Sequence, residues 1–90
     1  MPYKIFFSKQ YKKSFAKLTT AEQNLTDEVV YKLANGIKLD PKHKDHALSG
    51  AYSGFRDCHI KPDLLLIYKI DKNVLELYLA AIGSHSQLDF

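Results

Sequence analysis

The sequence predicts an α+β fold in the order strand, helix, helix, strand, strand, strand, with a helical hairpin laid on a mainly antiparallel sheet. Three observations predict it. A short β-branched and aromatic run opens the chain, and two stretches of helical period follow it. The second half then carries three apolar runs divided by tight turns. At 90 residues, with 46% hydrophobic and 26% charged, the chain suits one core, so residues 1–90 are read as a single domain.

Tyr3 to Phe7 reads as the first strand. Ser8 is a good N-cap, because its hydroxyl can accept a free amide of the first helical turn. Tyr11, Phe15 and Leu18 follow at helical spacing, with lysines on the other side. Thr19 and Glu22 have the spacing of a capping box and begin a second helix. Its expected inner stripe is Leu25, Val29, Leu33 and Ile37, with Val30 and Ala34 alongside. Asn35-Gly36 tolerates the positive φ of a helix end. From Lys38 to Ser53 no period is sustained, and Pro41, Gly50 and Gly54 argue for a connecting loop anchored by Leu48. Phe55 to Ile60 reads as a strand, Lys61-Pro62-Asp63 as a turn, and Leu64 to Ile70 as a strand buried on both faces. Asp71-Lys72-Asn73 turns the chain into a last strand, Val74 to Ile82.

One cysteine excludes an internal disulfide and fits a reducing compartment. Cys58 is expected to be a small buried or half-buried strand residue. The amino terminus lacks a signal peptide's apolar region, and no apolar run approaches the roughly 20 residues of a membrane span. A cytoplasmic protein without a membrane partner is expected. The net charge is +3, and Lys4, Lys9, Lys12, Lys13 and Lys17 fall in a stretch without acids. Such a patch favours a polyanion or an acidic protein segment; a solvated helix face reads equally well.

The chemistry concentrates in the second half. His46, His59, Asp63 and His85 are groups that can give or take protons near neutral pH, or steer a neighbour that does. Strand alternation puts Phe55, Asp57 and His59 on one face and Arg56, Cys58 and Ile60 on the other. Cys58 and His59 therefore point apart, and no metal or cofactor is implied. His59 and Asp63 flank a tight turn, within reach of each other; His85, just past the last strand, and His46, from the loop, can join them. Cutting RNA internally needs a base for the 2′-hydroxyl, an acid for the departing 5′-oxygen and a cation for the phosphorane. The histidines suit the first two tasks, and Arg56 or a lysine such as Lys61 the third. Taken singly, each histidine also reads as an ordinary surface or turn residue.

Asp45-His46-Ala-Leu-Ser-Gly50, Gly54-Phe-Arg-Asp-Cys-His59-Ile-Lys-Pro-Asp63, Leu66-Ile-Tyr68 and Gly83-Ser-His85-Ser-Gln-Leu88 together resemble the YafQ branch of the RelE-type bacterial toxins. The likeness runs through most of residues 38–90; the first half agrees in pattern more than in residues. It implies a RelE-like fold of the microbial ribonuclease type. It also implies the toxin of a type II toxin–antitoxin pair, a ribosome-dependent, metal-independent messenger RNA endoribonuclease. The implied partners are a DinJ-like ribbon-helix-helix antitoxin, the ribosome with its message, and operator DNA through the antitoxin complex. The basic first helix and the surface near the last strand are where charge alone would place an antitoxin tail.

Position by position, the likeness assigns catalysis to His46, His59, Asp63 and His85. Phe90 matches the family's closing aromatic and joins Arg56 and Lys61 as a substrate-binding candidate. Two positions depart from the pattern. Ala81 stands where an arginine is common, and Leu64 where the family's aromatic can be tryptophan. Two alternatives therefore stay open: a ParE-like gyrase inhibitor of the same fold, and a weakened toxin acting mainly as antitoxin co-repressor.

Overall fold

Residues 2–88 are described by the computed structural model, in the order β1 (Lys4–Phe7), α1 (Lys9–Ala16), α2 (Thr20–Ala34), β2 (His46–Ala47), β3 (Arg56–Lys61), β4 (Leu64–Asp71) and β5 (Glu76–Gly83). Short 3-10 turns lie at Pro41–His43 and Gly50–Tyr52. The strands form one sheet in the order β1-β5-β4-β3-β2. β2 to β5 pair antiparallel, and β1 joins the outer side of β5 in parallel. The α+β class and the order of the long elements match the expectation. The strand count does not, because His46 and Ala47 form a strand inside the expected loop. Two residues carry no alternating signature of their own; their register, His46 opposite Asp57 and Ala47 opposite Arg56, is templated by β3.

Both helix starts form as their capping residues dictate. The Ser8 hydroxyl accepts the Tyr11 amide at 2.9 Å and donates to the Ala80 carbonyl at 2.5 Å, tying α1 to β5. Thr19 and Glu22 close the capping box with bonds of 3.0 and 3.1 Å. α2 ends in a Schellman motif: the Gly36 amide donates to Leu33, the Ile37 amide to Lys32, and Gly36 adopts φ 70°.

The inner stripe of α2 differs from the expected one. Leu25 and Ile37 are exposed, whereas Thr26 is fully buried beside Val29, Val30, Leu33 and Ala34. Thr26 is tolerated there because its hydroxyl donates to the Glu22 carbonyl at 2.8 Å, leaving only its methyl to pack. Ile37 lies beyond the glycine and has left the helical period.

The helices cover one face of the sheet. Leu64, Leu66, Leu77, Leu79 and Ile82 form the core with them, and Cys58 is buried there as expected. Burying each such leucine contributes about 1.5–3 kcal/mol. Leu77, Leu79 and Ile82 share this face only because β5 carries a bulge: Tyr68 pairs with Leu79 and Ile67 with Ala81, so Ala80 is an extra residue. Among the described residues the opposite face carries no helical layer. Leu65, Ile67, Ala81 and Leu88 form a small second cluster there, beneath the carboxy-terminal turn. That open face carries the histidines.

Candidate active site

β3 is the spine of the site. Alternation sends Asp57 and His59 to the open face and Cys58 into the helical core. The β2–β3 register then sets His46 opposite Asp57, with Nε2 3.8 Å from Oδ2. The other nitrogen of His46, Nδ1, lies 2.7 Å from the Lys44 carbonyl, which can only accept, so Nδ1 carries the proton. Nε2 is therefore the ring nitrogen turned toward the Asp57 carboxylate.

His59 is held by its backbone: His43 Nδ1 donates to its carbonyl at 2.6 Å. Its own Nδ1 is buried and, among the described residues, has no hydrogen-bond partner. Its ring lies 5.4 Å, centroid to centroid, from that of His85. His85 arrives from the turn after β5. Gly83 permits that turn, since a Cβ there would sit 2.9 Å from Gln87 Oε1. The same oxygen accepts the Ser84 amide at 2.8 Å. The turn delivers His85 onto Asp63, whose Oδ1 accepts from Nδ1 at 2.7 Å and from the backbone amide at 3.0 Å. Nδ1 is thus committed to Asp63, and Nε2 is left open.

The two aspartates are tuned in opposite directions. Burial of Asp57 raises its pKa above the usual carboxylate range, and the nearby His59, His46 and His85 pull it back only in part. Asp57 Oδ1 has no partner among the described residues. The hydrogen bonds from the His85 ring and amide lower the pKa of the exposed Asp63.

The structure brings His46, His59, Asp63 and His85 to one region, with two changes from the sequence expectation. Asp63 partners His85 rather than His59, because the bulge between His59 and Lys61 turns the hairpin end away from His59. Arg56 is not at the site. It points to the helical side, where its Nε donates to Asp45 at 3.2 Å and Tyr68 donates to the same oxygen at 2.5 Å. Lys61 is close: it pairs with Glu22 at 2.7 Å and lines a cleft of about 470 Å³ with His43, His59 and His85. Phe90 lies outside the described residues. Two contributors were missed, Asp57 and His43. Alternation had already set Asp57 on the His59 face, whereas nothing local marks His43.

Ala81 forms part of the floor of a neighbouring cleft of about 360 Å³, between Phe55 and Leu88. Leu64 is buried in the helical core. Among the described residues no group of three or more His, Cys, Asp or Glu side chains is arranged to hold a metal ion. Nor is any helix among them long and apolar enough to cross a membrane.

The family model for the bacterial toxin of type II toxin–antitoxin systems, YafQ, matches residues 3–89. The mRNA interferase toxin YafQ of Escherichia coli K12 is 33% identical over 88 residues, covering 93% of this chain and 92% of that one. In the E. coli DinJ–YafQ toxin–antitoxin complex, the similar chain superposes with a TM-score of 0.82 at 33% identity, covering 98% of both chains. A metal-bound toxin from Helicobacter pylori superposes with a TM-score of 0.82 at 41% identity, covering 96% of this chain and 98% of that one. With the model spanning nearly all of the sequence and the fold shared from end to end, the chain belongs to the YafQ family of toxins of type II toxin–antitoxin systems.

Proposed function

We propose that this toxin cuts messenger RNA on the ribosome, by attack of a ribose 2′-hydroxyl on the adjacent phosphorus, and that a DinJ-like antitoxin holds it inactive. One observation carries the reading: on the open sheet face His46 stands across from Asp57 and the His59 ring beside that of His85, with Asp63 bonded to His85. Supporting it, the relatives include an mRNA interferase toxin and a DinJ complex.

The tautomers suggest a division of labour. His85, its Nδ1–H committed to Asp63, takes the 2′-hydroxyl proton on Nε2 as the 2′-oxygen bonds to phosphorus. His46, whose Nε2 faces Asp57, gives a proton to the 5′-oxygen as the P–O5′ bond breaks. His59 sits between them and donates to a phosphate oxygen. Lys61, which lines the same cleft with Lys42 and Lys44, is the candidate cation for the phosphorane. In this scheme the side chains move both protons, and a metal ion is not required.

The test is induction of the chain without its antitoxin, followed by primer extension on cellular messages. New internal 5′ ends are expected within coding regions, and they should vanish when translation is blocked before induction. Intact messages with a DNA-damage response would instead mark a gyrase inhibitor and overturn the reading.

The small side chain at Ala81 favours one second reading, a nuclease slowed by a missing cation. Ala81 faces the open side beneath a cleft with room for a larger group. Ala81→Arg is expected to raise the cleavage rate by up to about 10²-fold, the scale of one charge-stabilising contact. An unchanged rate would show that Lys61 or another group already fills the role.

A further inference from the structure

The open face carries a second feature that the proton-transfer residues do not use. One rung of side chains crosses the sheet from β1 to the start of β3. Phe6 pairs with Tyr78, and Tyr78 with Lys69. The pairing of Arg56 with Tyr68 sets Phe55 across from Lys69. Phe6 and Tyr78 are 38% and 39% exposed, high values for aromatic rings in a sheet. The Phe55 and Tyr78 rings lie 6.5 Å apart and tilted. Lys69 Nζ stands 5.7 Å from the Phe55 centroid, and Lys4 Nζ 5.4 Å from that of Phe6.

We infer that this row, Phe6, Tyr78, Lys69 and Phe55, binds single-stranded RNA by stacking its bases, with Lys4 and Lys69 meeting the phosphates. The inference rests on the nuclease reading and extends it. Phe55 lies on the same strand face as Asp57 and His59, so the row continues from the proposed cutting site. At the usual strand spacing it spans about 14 Å, the scale on which a sheet stacks two or three bases. Exposed rings flanked by ammonium groups suit flat bases on a charged backbone. A buried protein contact would instead require Lys69 to be desolvated in the middle of the patch. On the next rung Glu76 pairs with both Lys4 and Asp71. These two acids repel a polyanion and confine it to the aromatic line.

The probe is a fluorescein-labelled twelve-nucleotide oligo(A) with 2′-O-methyl riboses, which lacks the attacking hydroxyl and is not cut. Anisotropy titrations of the full chain should show tighter binding to this strand than to a duplex of equal length. Tyr78→Ala, Tyr78→Leu and Phe6→Ala should each weaken binding about tenfold, whereas Tyr78→Phe keeps it. Lys69→Ala should reduce the slope of log affinity against log salt by roughly 0.7. Tight binding of this strand by a chain whose induction leaves cellular messages intact would sink the nuclease reading and spare this one. Unchanged affinity in folded Tyr78→Leu and Phe6→Ala overturns the inference, as does a loss confined to antitoxin binding, which would make the row a protein-docking face.

Discussion

Replacing His85 by alanine is expected to slow RNA cleavage by about 10²–10⁴-fold, the usual worth of one positioned proton-transfer group. Folding should survive, because His85 lies on a surface turn and its bonds go to the exposed Asp63. His46→Ala is expected to cost a similar factor for a different reason, and one substrate separates the two. When the bridging 5′-oxygen is replaced by sulfur, the leaving group departs without a proton. His46→Ala should then recover most of the lost rate, and His85→Ala should not. Rescue of His85→Ala alone would exchange the assigned roles; rescue of neither would remove His46 from acid catalysis.

The second large effect is expected at Asp57. Its folded-state pKa is raised, so folding disfavours the carboxylate relative to water. A group with a raised acid pKa destabilises the fold above that pKa, and the deficit closes as pH falls toward the unfolded-state value near 3.9. Asp57→Asn removes the charge while keeping the shape. Its Tm at pH 7 should therefore exceed that of the wild type, and the gap should narrow as the pH is lowered toward 4. The same substitution deprives His46 of its partner, and cleavage is expected to fall by about 10²-fold. A variant that is both more stable and less active would identify Asp57 as a carboxylate kept at a cost to stability for its effect on the histidines. A lowered Tm with full activity would make it a purely structural residue.

What the sequence disclosed depended on whether the signal was local. Ser8, Thr19, Glu22 and Gly36 act on backbone groups within a few residues, and each does what its spacing predicts. Alternation in β3 likewise separates His59 from Cys58 and Arg56. The misses involve partners far apart in the chain. β2 exists because β3 offers it an edge, and Asp63 meets His85 across 22 residues. The Ala80 bulge lets Leu79 and Ile82 share one face. Thr26 was missed in another way, since its hydroxyl is satisfied inside its own helix and its burial leaves no trace in hydrophobicity. For the site, the residue types and their order were legible, and their pairing was not.

The chemistry of the cut ends tests the central claim most directly. RNA cleaved by the purified toxin on programmed ribosomes, with any metal requirement examined by using cobalt hexammine in place of magnesium, should end in a 2′,3′-cyclic phosphate on one side and a 5′-hydroxyl on the other. Products bearing a 3′-hydroxyl and a 5′-phosphate would mean that water, not the neighbouring ribose, attacks phosphorus, and the imidazole scheme would be wrong.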